Sequence, residues 1–323
     1  MSAGRPQISV SREDGRPEER SYYGRPVLKE PVWSWEIPWY FFVGGLAGAS
    51  STLALLARAG GNEKLARRAR LAALAGAAAS PMLLISDLGR PDRFYNMLRV
   101  FKPTSPMSVG TWILTAFGTS TGIAAASDVL GIFPRLGRLS GAVSALLGPA
   151  LSTYTAVLVS DTSVPVWHEA RRELPLLFAA SSAASAGAAA TILTPVDAAG
   201  PARRLAVGGA LLEIGATEAM KRGLGDFLAE PYEKEEAGRF DSASKALSGL
   251  GAVVTVLTGR RRRSMSALGG ALILAGAALE RWSVFRAGFQ SARDPKYTVV
   301  SQRERLGSRD GAQRGDGQRS RGG

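Results

Sequence analysis

The sequence predicts an all-α integral membrane protein, with about eight transmembrane helices in two four-helix bundles and disordered polar tails. Apolar stretches of roughly 17–22 residues recur along its 323 residues, the length that crosses a hydrocarbon core about 30 Å thick. These stretches are Ala/Gly-rich and both ends of the chain are strongly polar, so mean hydropathy is only +0.03 despite the apolar interior. Trp and Tyr cluster where the first stretch begins, as amphipathic rings do at a membrane interface.

Residues 1–30 are charged, contain Pro and Gly, and show no periodicity, so a disordered tail is expected there. Residues 1–20 lack an apolar core, and the first span is expected to act as its own insertion signal. That span runs from Glu36 to about Ala57, with Trp33, Trp35, Trp39 and Tyr40 at its interfacial end. Pro38 sits in its first turn, and Gly44 and Gly48 are spaced for close packing against another helix. A basic loop containing Arg58, Lys64, Arg67, Arg68 and Arg70 leads to a second span over about 71–87, interrupted by Pro81. Further spans are expected over about 108–126, 139–160, 174–194, 203–220, 243–258 and 265–285, the seventh weakened by Gly249 and Gly251. The transmembrane domain thus covers 31–290, and a second disordered tail, rich in Arg, Gly, Asp and Gln, covers 291–323.

The chain has no cysteine and a single histidine, His168. This excludes disulfides, thiol nucleophiles, cysteine-held iron–sulfur clusters and the usual Cys/His zinc sites. No metal site is expected, and a haem held between two internal histidines is impossible. Electrons, if handled at all, are exchanged with a partner subunit. The net charge of +13 sits in loops and tails beside apolar spans, which reads as membrane orientation and attraction to anionic lipid, with no nucleic acid expected. The loops opposite the tails carry 13 Lys/Arg in 41 residues, against 10 in 55 on the tail side. The denser side is expected to be cytoplasmic, which places the tails outside the cell membrane.

The tail side gathers an unusual set of polar residues. The segment Asp87 to Trp112 carries Asp87 with Arg90, then Asp92 and Arg93, and three prolines, Pro91, Pro103 and Pro106. Glu36 opens the first span, Asp161 closes the fourth, and Trp167, His168 and Glu169 follow it. Carboxylates at membrane depth are expensive unless paired or hydrated, which makes them functional candidates. Asp87, Glu36 and His168 are candidate proton exchangers, His168 because its ordinary pKa lies near neutrality. Each also has a structural reading: Asp87 as a cap or a partner of Arg90, Glu36 as a carboxylate favoured at a helix N-terminus, His168 as an interfacial hydrogen bonder. Glu213, well inside the sixth span, is either a proton-relay member or a neutral acid bonded between helices. Within the loop, Arg99, Phe101 and Lys102 are placed to dock a partner, and Pro103, Pro106 and Ser108 to start the next helix. No P-loop, dinucleotide fingerprint, nucleophile elbow or HExxH motif occurs.

YYGRPVLKEPVWSWEIPWYFFVGGLAGAS (22–50), DLGRPDRFYNMLRVFKPTSPMSVGTW (87–112) and VPVWHEARRELPLLFAASSAASAG (164–187) together resemble the NrfD/polysulfide reductase membrane-subunit family. The second segment is the most specific, and the resemblance extends over nearly all of 22–285. It implies an eight-helix anchor without a redox cofactor of its own, binding quinone (menaquinone or ubiquinone) near the face where an iron–sulfur, ferredoxin-like subunit docks. That subunit is usually attached to a molybdopterin catalytic subunit. Carried onto this sequence, the quinone neighbourhood is the entrance of the first helix around Glu36, with Trp39 and Tyr40, and the Asp87–Arg90 loop. Some relatives have His or Asn where this chain has Trp35 and Glu36.

The leading expectation is a quinone-reactive membrane subunit of a respiratory oxidoreductase, with Asp87 and Glu36 exchanging protons, His168 as a relay and Arg90 beside Asp87. The alternatives are a secondary transporter or proton channel, suited to Gly/Pro-interrupted spans and Glu213, and a passive anchor that only tethers its partner.

Overall fold

In a computed structural model, which describes residues 28–259 and 262–299, the chain is helical almost throughout. The expectations of disorder for 1–27 and 300–323 lie outside the described residues. The helices are α1 (Glu36–Ala59), α2 (Glu63–Ser86), α3 (Pro106–Leu130), α4 (Pro134–Ser160), the single-turn α5 (Pro165–Glu169), α6 (Leu174–Leu193), α7 (Gly200–Glu233), α8 (Glu235–Thr258) and α9 (Arg263–Arg293), with a 3-10 helix at Pro91–Leu98 between α2 and α3. Proline sits in the first turn of α3, α4, α5, α6 and α7. There its fixed φ suits the helix and its missing N–H breaks no bond.

The long helices form two four-membered rings. In one, α1 packs on α2 and α4, and α3 on α2 and α4; in the other, α6 packs on α7 and α9, and α8 on α7 and α9. The rings join through α1 against α6 and α9, and α4 against α6. Six helices, α1, α2, α3, α4, α6 and α9, are long and apolar enough to cross a membrane. Both α7 and α8 are as long, but each carries charges that the bundle buries: Glu213 and Lys221 on α7, Asp241 on α8. Large apolar side chains such as Leu56, Leu146 and Val256 point outward, as a lipid-facing surface requires.

Close approach in the N-terminal bundle depends on Gly48 of α1 and Gly148 of α4. A Cβ on Gly48 would lie 2.4 Å from the Gly148 carbonyl oxygen, and one on Gly148 would lie 2.3 Å from that of Gly48. Gly44, the other glycine of the expected packing pair, has ordinary room for a Cβ, so Gly48 alone sets this contact. The helix crossing is reinforced by Thr52 and Ser51, whose hydroxyls donate to the Ala145 and Ser144 carbonyls at 2.9 and 3.1 Å.

Helices extend further than the apolar pattern indicates. The second begins at Glu63 because Asn62 caps it, its side chain accepting from Leu65 N at 3.1 Å. Most of the basic stretch 58–70 is therefore helix, with Arg67 and Arg68 turned outward. Pro81 does not end α2, which runs on to Ser86, since a span can absorb a missing hydrogen bond where neighbours satisfy the freed groups. Gly249 and Gly251 do not break α8; Gly251 instead lets α9 approach, its Cβ position lying 2.8 Å from the Gly269 carbonyl oxygen.

Helix α7 outlasts its expected span, turning at Gly225 (φ 70°, ψ 168°) before continuing to Glu233. Its last turns hold Glu230, which receives Lys234 at 2.5 Å, Lys296 at 2.9 Å and the Tyr297 hydroxyl at 2.9 Å. A further helical turn over 295–299 is thereby tied to α7, although the sequence predicts disorder from 291. The Lys234 ammonium first, then Lys296 and the Tyr297 hydroxyl, hold the Glu230 carboxyl down at about 2. A depressed carboxylate contributes fully above its ordinary range and loses that contribution only as pH falls through the depressed value. Acidifying from about pH 7 to about pH 5 is therefore expected to leave the 294–299 segment attached, whereas Glu230→Gln releases it at neutral pH. Limited proteolysis near Lys296 reads both outcomes.

Candidate functional site

Glu36, Asp87, His168 and both described ends of the chain share one face; Glu30 and Arg293 meet there in an ion pair at 3.1 Å. The organising residue is Ser34, just ahead of α1. Its backbone N–H donates to Asp87 Oδ1 at 3.0 Å and its hydroxyl donates to the same oxygen at 2.6 Å. The same hydroxyl touches Glu36 Oε2. A serine hydroxyl has one hydrogen. One hydroxyl therefore faces both carboxyls, and Glu36, Ser34 and Asp87 form a continuous row of oxygens.

The helices explain this placement. Glu36 lies in the first turn of α1, where the macrodipole favours a carboxylate. Asp87 closes α2, the end at which the dipole opposes one, and the two donors of Ser34 compensate. Arg90 does not. Among the described residues Asp87 makes no ion pair with Arg90, which stands at the start of the 3-10 helix; Arg90, Asp92 and Arg93 all point into solvent. The expected Asp87–Arg90 pairing is thus replaced by Asp87–Ser34. A carboxylate at a helix C-terminus takes backbone and hydroxyl donors from the segment entering α1 before it takes an exposed guanidinium.

One turn along the same face of α1, Tyr40 is almost fully buried, at 1% exposure, and its hydroxyl has no hydrogen-bond partner. Its ring sits 6.4 Å from that of Tyr154 on α4. Tyr154 in turn lies over Gly110 of α3, where a Cβ would come 2.1 Å from the ring. Beside Tyr154 a cleft of about 420 Å³ opens between α3 and α4, lined by Pro103, Pro106, Val109, Ile113 and Asp161. Trp39 points elsewhere, edge-on to Phe42 and to Trp282 of α9 at 6.1 and 6.5 Å, toward the C-terminal bundle. His168 is also apart. Its Nδ1 lies 3.3 Å from the Ser160 carbonyl, and it lines a separate cleft of about 380 Å³ with Asp161, Glu169 and Tyr297. The neighbouring Trp167 is fully buried, donates to the Val284 carbonyl at 2.8 Å and stacks on Trp33 at 5.8 Å, clamping the segment that carries Ser34.

The loop from Asp87 to Ser105 is anchored by Ser108, whose hydroxyl donates to the Val100 carbonyl at 3.1 Å and accepts from Lys102 N at 3.0 Å. This leaves Tyr95, Val100 and Phe101 exposed beside the site. The opposite face offers plain ion pairs, Arg70 with Asp128 at 2.7 Å and Lys64 with Asp197 at 3.1 Å; the Lys64 hydrogen bond holds the Asp197 carboxyl below its usual range.

Of the sequence candidates, then, Glu36 and Asp87 come together with Tyr40 on the adjoining turn, while Trp39, Arg90 and His168 are placed elsewhere. Ser34 and Tyr154 were not singled out by sequence. Ser34 has no signature at all. Tyr154, a lone polar-tipped ring within an Ala/Leu/Ser span, does carry a readable one. No curated protein matches the chain. The family model described as "Polysulphide reductase, NrfD" matches residues 26–220, more than half of the chain, and covers the Ser34–Glu36–Asp87 cluster and helices α1 to α4. The chain therefore belongs to the NrfD polysulphide reductase family and is a multi-pass membrane subunit of an oxidoreductase complex.

Proposed function

We propose that this subunit reacts with quinone at the mouth of its N-terminal bundle and exchanges electrons with an iron–sulfur subunit docked on the same face, which is attached in turn to a molybdopterin catalytic subunit. The observation that carries the reading is the Glu36–Ser34–Asp87 row of oxygens at the entrance of α1, one turn from the buried, unpartnered hydroxyl of Tyr40. The residues fit the group: an orphaned phenol hydroxyl is a ready donor to a carbonyl oxygen, and the cleft beside Tyr154 is walled by proline and aliphatic side chains. A bound quinone supplies two-electron, two-proton redox chemistry. The chain's own residues orient and protonate. Tyr40 Oη donates a hydrogen bond into the site, the apolar wall of α3 and α4 limits water, and Glu36 and Asp87 pass protons through the Ser34 hydroxyl to the surface. Exposed Tyr95, Val100 and Phe101 form the apolar part of the docking surface, beside basic Arg99 and Lys102. The greater density of Lys/Arg in the opposite loops supports placing this face on the outer side of the cell membrane.

Gentle purification tests the reading: an iron–sulfur protein is expected to accompany the chain together with extractable quinone, and a homo-oligomer carrying neither would overturn it. Ser34→Ala removes the hydroxyl that joins the two carboxyls. It is expected to slow quinone-linked electron transfer by ~10- to 100-fold, about the worth of one hydrogen bond to a charged group, with assembly and quinone content unchanged.

A further inference from the structure

The C-terminal bundle encloses all five buried charged side chains among the described residues: Glu213 and Lys221 on α7, Asp241 on α8, and Glu280 and Arg281 on α9. Lys221 donates to Asp241 Oδ2 at 2.7 Å, and Lys245 meets the same oxygen at 2.9 Å. Lys245 then pairs with Glu218 at the half-exposed rim of the Glu36 face. Deeper in, Arg281 Nη2 donates to the Phe178 carbonyl at 2.8 Å and to Ser182 Oγ at 3.2 Å, with its guanidinium 3.7 Å above the Phe178 ring. The Nε and Nη1 of Arg281, one oxygen each of Glu213 and Glu280, and the hydroxyl of Tyr232 have no partner. Ser248 reaches the other oxygen of Glu213 at 3.5 Å. Tyr232 stands within electrostatic range of Glu280 and Asp241, and Glu280 within range of Arg281 and Glu213.

The buried set has three carboxyls and two cations. An uncompensated charge in such an interior costs several kcal/mol, so the set is neutral only when it holds one proton. The ionisable chain also has one opening. Lys221 and Lys245 both reach Asp241, and Lys245 reaches Glu218 on the Glu36 face; Glu213 and Glu280 lie deeper, each with one unpartnered oxygen. Toward the opposite face, the buried polar groups of this bundle among the described residues are hydroxyls such as Thr255 and Ser266, with no charge among them. Asp241, Lys245, Glu280 and Arg281 all lie beyond residue 220, where the family match ends.

We propose that the C-terminal bundle is a proton-holding site: Glu213 and Glu280 share one exchangeable proton, which reaches the Glu36 face, and only that face, through Asp241, Lys221 and the Lys245–Glu218 rim. The transfer moves one proton and no electrons; an O–H bond breaks at a carboxyl and re-forms at water on the rim, leaving the carboxylate beside Arg281. The unpartnered oxygens and the Tyr232 hydroxyl are where ordered water would complete the path.

The test needs neither quinone nor a partner subunit, so its outcome is separate from that of the quinone reading. Infrared spectra of the full-length chain in lipid are expected to show a protonated-carboxyl C=O band that shifts in D₂O. Glu213→Gln and Glu280→Gln each remove at least half of it, and Glu218→Gln, outside the buried set, keeps the band but slows its exchange at least ~10-fold. A wild-type chain without the band, a band that survives the Glu213→Gln/Glu280→Gln double substitution, or an exchange rate unchanged in Glu218→Gln would overturn the proposal. Dicyclohexylcarbodiimide, which adds to protonated carboxyls in apolar surroundings, gives a check on the unmodified protein. An N-acylurea adduct mapped to Glu213 or Glu280 supports the site, and an unlabelled pair contradicts it.

Discussion

Gly148→Val is expected to stop the N-terminal bundle from closing, lowering folded protein in the membrane by at least ~10-fold. Extra atoms forced into a packed interface cost about 1–3 kcal/mol when side chains can yield, and more when they cannot. Here the obstacle is backbone: the added Cβ would sit 2.3 Å from the Gly48 carbonyl oxygen, with Thr52 and Ser51 hydroxyls at 2.7 and 2.8 Å. Relief requires α1 and α4 to move apart, which also breaks the Thr52 and Ser51 bonds across the crossing. Gly118→Ala on α3 is the matched control, because nothing lies within 4 Å of its Cβ position; it is expected to leave yield and thermal stability unchanged. The measurement is membrane yield and melting temperature of the two variants beside the parent protein. The consequence for function is direct, since α1 and α4 carry Glu36, Tyr40 and Tyr154.

Helix identity was legible in the sequence wherever apolar length and punctuation agreed. The long apolar runs beginning behind Trp33 and Trp35, or behind a first-turn proline, are spans, and the Gly48 spacing does mark a close crossing. Hydropathy underestimated helix length wherever an amphipathic or charged stretch continued the same backbone. Residues 63–70 are helical because Asn62 caps them, and 221–233 because Gly225 turns the helix without ending it. The tail-side asymmetry was readable as well, being a matter of which loops hold the carboxylates. Partner choice within the site was not. Asp87 and Arg90 are three positions apart in sequence, but the Asp87 carboxyl takes the donors of Ser34, 53 positions away, a pairing that exists only once α1 and α2 stand side by side. Glu213 was recognisable as an intramembrane carboxyl. Its companions Glu280 and Arg281, on α9, meet it only through the ring of α6, α7, α8 and α9, an arrangement that no local pattern encodes.

The largest functional effect is expected from the carboxyl pair itself. Positioned acid–base groups are worth about 10²- to 10⁴-fold in rate, and Glu36 and Asp87 work through one hydroxyl bridge, so loss of either breaks the same relay. Single Glu36→Gln and Asp87→Asn substitutions are therefore each expected to cost nearly as much as the double variant does, the signature of two groups acting through one contact. Both amides keep the size of the side chain and leave Trp33, Trp167 and the helix ends in place, so assembly with the partner subunit is expected to persist. His168→Gln, in its separate cleft, is expected to have a smaller effect than either. The most direct measurement is quinone-linked electron transfer in the intact complex carrying Glu36→Gln and Asp87→Asn together, with subunit stoichiometry checked in the same preparation. A loss of ~10²-fold or more with full assembly is the predicted result; a fully assembled complex that transfers electrons at the parent rate would contradict the placement of proton exchange at Glu36, Ser34 and Asp87.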